Sequence, residues 1–219
     1  MTRSITVTGD GTAEAVPDLL TLTLAVEVRR ETAAHAYDDA AAVALSVTEA
    51  LRRHGVADGN LRTSGLNLRP DVVWVENEGQ KVTGYVASTD LVARLGPPHL
   101  APAAISAAIT AGGNNVRING IEQGFSDSSA VAASAQDAAW HDAEAKARRF
   151  AELAASRLGQ VLSIEQRPSH DRPVPVAGDM ARTVAAEGVA IEPGTVAVSV
   201  SVLVAWELLD AEGRQAPPQ

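Results

Sequence analysis

The chain has 219 residues, 46% of them hydrophobic, a formal charge of −9 and no cysteine, with a pI near 5.0. That length suits one full-sized globular body or two small ones joined tightly, and the acidity sets the chain against phosphate backbones and anionic lipid, so neither nucleic acid nor a membrane surface is an expected partner. The lack of thiols excludes disulfides, thiolate nucleophiles and thiol metal sites, and aromatics at 3% leave the core to Val, Leu, Ile and Ala.

Ile5 and Val7 alternate with Thr6 and Thr8 in a short first strand, which Gly9-Asp10-Gly11 is expected to turn. Leu20, Leu22, Leu24, Val26 and Val28 then alternate with polar or small residues, the clearest period-two strand in the chain. Thr32 caps a helix that runs to about His54, with Ala36, Ala40, Val43, Val47, Ala50 and Leu51 on one stripe and Gly55 at its end. A strand at Leu61–Leu68 follows, and Pro70 bars it from continuing as a central strand. Val72 to Val75 extends it toward the polar turn Glu76–Gly79, and a long strand returns over Val82–Leu95. Gly96-Pro97-Pro98 breaks that strand, Leu100–Ala111 reads as a short Ala/Ile helix, and Val116, Ile118 and Ile121 open the next strand.

The longest element is a helix from Ser128 to Leu158, a stretch without Gly or Pro. Its expected stripe is Ala139, Ala143, Ala147, Phe150, Ala154 and Leu158, spaced by three and four, with Asp127 or Ser128 as cap and Gly159 as stop. Val161–Ile164 is a short strand. Residues 166–194 carry Pro168, Pro173, Pro175 and Pro193 and read as a long irregular excursion. Val196, Val198, Val200, Val202 and Val204 form a closing strand, and residues 211–219 a frayed tail.

This order predicts an α+β fold: a mixed, largely antiparallel sheet with helices on one face, a ferredoxin-like β-α-β-β-α-β section over 19–125, and one long C-terminal helix. Residues 1–210 are expected to form a single body. No run is long and apolar enough for a spanning helix, and the opening MTRSITVTGDG lacks the apolar core of a signal peptide, so the chain as given reads as cytoplasmic.

Five segments together resemble the SIMPL-domain family: ITVTGDGTAEAVPD at the start, the pair Gly84-Tyr85, NNVRINGIEQGFSD before the long helix, DAEAKARRFAELA from Asp142 to Ala154, and IEPGTVAVSVSVLVAWEL at the end. The resemblance implies an α+β fold, assembly into homo-oligomers, a periplasmic or cell-envelope setting if a leader has been removed, and a loose link to envelope or oxidative-stress physiology. It implies no catalytic residues.

Chemistry-bearing residues are few. Asp137, His141 and Glu144 share a helical face and are the weak candidates for a metal, against the plainer reading of a solvated face. Asp142 and Lys146, acid four residues before base, are candidates for a subunit or sheet contact. Trp140, at the margin of the Ala stripe, is the aromatic candidate for an interface. Ser126-Asp127-Ser128 reads as a helix cap, and no GxSxG elbow is present. His170 and Asp171 fall in the excursion. The expectation is therefore a non-enzymatic, self-associating protein without cofactors, the alternative being a small-molecule or metal-binding module with residues 166–194 as its lid.

Overall fold

The computed structural model describes residues 3–167, 174–176, 192 and 194–210, so most of the 166–194 excursion and the tail 211–219 lie outside the described residues. Among these the chain is α+β, with two antiparallel sheets and three α-helices. Its contacts divide it into two compact units.

One unit is built from both ends of the sequence. Strand β1 (Ser4–Ala15) pairs along its length with β8 (Thr195–Asp210), from Ser4 opposite Glu207 to Ala15 opposite Val196. On the far side of β8 lie β6 (Ser156–Arg167) and the short β7 (Val174–Val176). Helix α3 (Ser129–Leu153) packs on this sheet. The alternation expected for residues 196–204 is present, with Val196, Val200, Val202 and Val204 buried and Val198 half-buried, and α3 sets Ala135, Ala139, Ala143 and Ala147 against Val200, Val202, Val204 and Trp206.

The other unit runs from Pro17 to Ser126. Its sheet has the order β3-β4-β2-β5, formed by β2 (Leu19–Arg30), β3 (Leu61–Val75), β4 (Gly79–Leu95) and β5 (Val116–Gly124), with every ladder antiparallel. Helices α1 (Ala33–Arg53) and α2 (Ala101–Gly112) complete it. The even-numbered residues Leu20 to Val28 are at most 1% exposed and meet Ala36, Ala40, Val47 and Leu51 of α1 and Ala104, Ile105 and Ala108 of α2. Each such Leu or Val contributes roughly 1.5–3 kcal/mol by leaving water. Thr32 caps α1 as expected, its Oγ1 accepting the His35 N–H at 3.3 Å. The two chain ends of the unit are clasped: the Asp18 carboxylate accepts the Ser126 N–H at 2.7 Å and the Ser126 hydroxyl as well.

Five sequence expectations are corrected. There are two sheets rather than one, and no parallel ladder occurs among the described residues. The long helix is not C-terminal, because β6, β7 and β8 follow it. It ends at Leu153 rather than Leu158: Ala155 takes φ of 47° and Ser156 already belongs to β6. Its buried stripe keeps a strict spacing of four, Val131 to Ala151, which leaves Phe150 54% exposed. Finally, Gly9-Asp10-Gly11 is not a turn. All three residues lie inside β1, where α3 approaches so closely that a Cβ on Gly9 would stand 2.1 Å from the Ala139 carbonyl oxygen, and one on Gly11 2.2 Å from that of Ala135.

Candidate functional site

The candidate interface residues lie together on α3. Gly9 and Gly11 let the helix axis sink onto β1, and that proximity brings α3 side chains to the strand's backbone. Asp142 Oδ2 accepts the Asp10 N–H at 2.8 Å, and Lys146 Nζ donates to the Thr8 carbonyl at 3.1 Å. The same Lys146 ammonium pairs with Asp142 at 2.6 Å and stands 3.8 Å from Asp10. Thr8 and Asp10 are two apart in a strand, so these backbone groups point to the same side. Among the described residues that side carries no neighbouring strand, because β1 pairs only with β8. An acid and a base at i,i+4 thus occupy one donor and one acceptor of an open sheet edge, as a strand would.

The electrostatics follow from the geometry. The Lys146 ammonium, then the Asp10 N–H, hold the Asp142 carboxyl below its ordinary range, and the Asp142 carboxylate raises Lys146. The Ser126 hydroxyl and N–H hold Asp18 down in the same way.

Trp140, half-buried, packs on the buried Trp206 of β8, with ring centroids 5.7 Å apart and planes tilted by 49°. That separation is in the favourable range for aromatic pairs. Beside them an open groove of about 580 Å³ is lined by Trp140, Trp206, Leu158, Val161, Glu144, Arg148 and Arg157, among others.

The metal candidates are not assembled. Among the described residues no group of three His, Asp or Glu side chains is close enough to hold an ion. Asp137 and His141 are exposed, and Glu144 pairs with Arg148 at 2.7 Å. His170 and Asp171 lie outside the described residues. Asp127, rather than Ser128, caps α3, its Oδ1 accepting the Ser129 N–H at 2.8 Å.

A further surface escaped the sequence reading. In β3, Leu66, Leu68, Val72 and Trp74 are all exposed, Trp74 to 76% and Leu66 to 65%. Two signals pointed there: Pro70, which belongs on an edge strand, and the apolar run Val72–Val75. Among the described residues, no helix is long and apolar enough to cross a membrane.

The model of SIMPL, described as a protein of unknown function (DUF541), matches residues 5–206. Two curated relatives, the 26 kDa periplasmic immunogenic proteins of Brucella melitensis and Brucella abortus, are each 29% identical over 216 residues, covering 93% of this chain and 84% of the relative.

Proposed function

This chain belongs to the SIMPL family, and from that membership we propose that it is a non-enzymatic, self-associating protein of the cell envelope. The periplasmic setting is supported by the relatives' names. The link to oxidative-stress physiology rests on the family resemblance. The sheet order β3-β4-β2-β5, with helices in both crossovers, supports the ferredoxin-like reading of residues 19–125.

Self-association is carried by one observation, the exposed apolar stripe on β3. A single exposed Leu is ordinary, but a row of large apolar side chains on one edge strand is what an interface leaves uncovered in the isolated chain. Light scattering over a dilution series tests it. A stable multiple of 22.7 kDa is the expected result, and a monomer at every concentration would overturn the reading.

A further inference from the structure

Strand β5 ends the sheet order β3-β4-β2-β5, so among the described residues it pairs with β2 alone and its other side is an open edge. Its ladder is interrupted once. Ile121 stands opposite Leu22 and Gly120 opposite Thr23, but Leu24 is opposite Ile118, which leaves Asn119 as an extra residue in a β-bulge. The bulge reconciles the side chains around it. Ile118 and Ile121 are three apart, a spacing that an unbroken strand would send to opposite faces. Each nevertheless stands opposite a buried leucine of β2, so both fall on one face.

Asn119 itself is exposed, and among the described residues no hydrogen bond holds its side-chain amide. The next residue is Gly120, where a Cβ would meet nothing within 4 Å. That pairing is chemically specific, because the backbone nitrogen after an asparagine can reach the side-chain carbonyl carbon and close a five-membered imide. A Cβ on the following residue crowds that nitrogen and restricts the backbone rotation that attack requires, and glycine does neither. Asn60, Asn67, Asn77, Asn114 and Asn115 are followed instead by Leu61, Leu68, Glu78, Asn115 and Val116. A regular strand would hold the two reacting groups apart. At a bulge on an edge strand the ladder is already broken, and local opening there lies at the low end of its cost range.

We propose that Asn119 is a site of spontaneous, water-driven modification. The Gly120 backbone nitrogen gives up its proton to solvent base and bonds to Asn119 Cγ. The bond from Cγ to Nδ2 breaks and ammonia leaves, which closes a cyclic imide. Water then opens the ring at either carbonyl. Cleavage at Cγ restores the ordinary peptide bond and leaves an aspartate, whereas cleavage at the backbone carbonyl leaves an isoaspartyl link in which the main chain runs through Cβ. One water is consumed overall and one ammonia released, so no oxidant, enzyme or cofactor is required. Either product puts a carboxylate between Ile118 and Ile121 on an open edge, where charge opposes pairing with another chain. The isoaspartyl product also lengthens the main chain by one atom, at the one point of β5 where the strand already carries an extra residue.

The test is a peptide map of the full chain after incubation at body temperature and mildly alkaline pH, with digestion in acid, where the reaction is slow. The peptide carrying Asn119 should gain the mass of a hydroxyl over an amino group and resolve into aspartyl and isoaspartyl forms. Peptides carrying the other asparagines should keep their amides. Gly120→Ala is the control. The position is open and its φ is not positive, so the variant should keep the wild-type circular dichroism while conversion slows by roughly tenfold or more, the added Cβ hindering both access and rotation. The same map in urea separates structure from sequence: the folded chain should convert within roughly tenfold of the unfolded one, because little opening is needed at a bulged edge. If Asn119 converts in urea but stays an amide in the folded chain, the bulge does not open and the proposal is wrong. Conversion as fast in Gly120→Ala as in the wild type would equally overturn it, since the Gly120 nitrogen would then have no special access.

Discussion

Lys146 donates to the backbone carbonyl of Thr8, a residue 138 positions earlier in the chain, at 3.1 Å. With Asp142 accepting from Asp10, the contact gives the Asp-Ala-Glu-Ala-Lys segment a physical role: it closes part of a strand edge. Open edges invite pairing with other chains, and charged side chains are a common way of blunting them. Lys146→Met should therefore raise the hydrogen-exchange rate of the Asp10 amide and increase aggregation on mild heating. Unchanged protection at Asp10 would show that the helix backbone alone shields the edge.

Replacing Gly9 or Gly11 by Ala tests the close approach directly. The new methyl would lie within 2.2 Å of a helix carbonyl oxygen, and backbone on both sides cannot yield as a flexible side chain would. We expect destabilisation on the order of 3 kcal/mol, read as a thermal midpoint roughly 10 °C lower. A midpoint within about 2 °C of wild type would refute the packing described for β1 and α3.

The paired carboxyls set the pH dependence. Asp18 and Asp142 are both held below the ordinary 3.8 in the folded state. Their stabilisation is therefore fully present above that value and is lost as pH falls through the depressed folded values. Lys146 is raised above 10.5, so its part is present below 10.5 and is lost as pH rises through the higher folded value. Thermal midpoints of wild type and Asp142→Asn should differ most on the neutral plateau and converge below about pH 4. A gap that widens in acid would contradict the assignment.

The Trp140–Trp206 pair has an optical signature. Two indoles 5.7 Å apart and tilted by 49° should couple and give a paired positive and negative band in the far-ultraviolet circular dichroism. Trp140→Ala should abolish that couplet, with the remaining spectrum kept. Trp206, 2% exposed, is a core residue, and Trp206→Ala should cost about 3–5 kcal/mol. Should the couplet survive Trp140→Ala, the two rings are not packed as described.

Much of this was legible in the order of residues. Period two marked β2 and β8, and spacings of three and four marked α1 and α3, because a strand or helix with one buried face must repeat its apolar side chains at the period of its backbone. The family segments were legible too, from Ile5 to Leu208. Periodicity states which face is buried but not what covers it. Only the tertiary structure decided that the first and last strands pair, that Gly9 and Gly11 are packing positions rather than a turn, and that Phe150 points outward where Ala151 continues the stripe. Each of these depends on how near another element comes, and a glycine or alanine looks the same in sequence whether it serves a turn, a helix or a close approach. The β3–β4 ribbon was hidden for the same reason. Val72, Trp74 and Val82 read as ordinary strand residues, and their exposure follows only from where β2 stops pairing with β4.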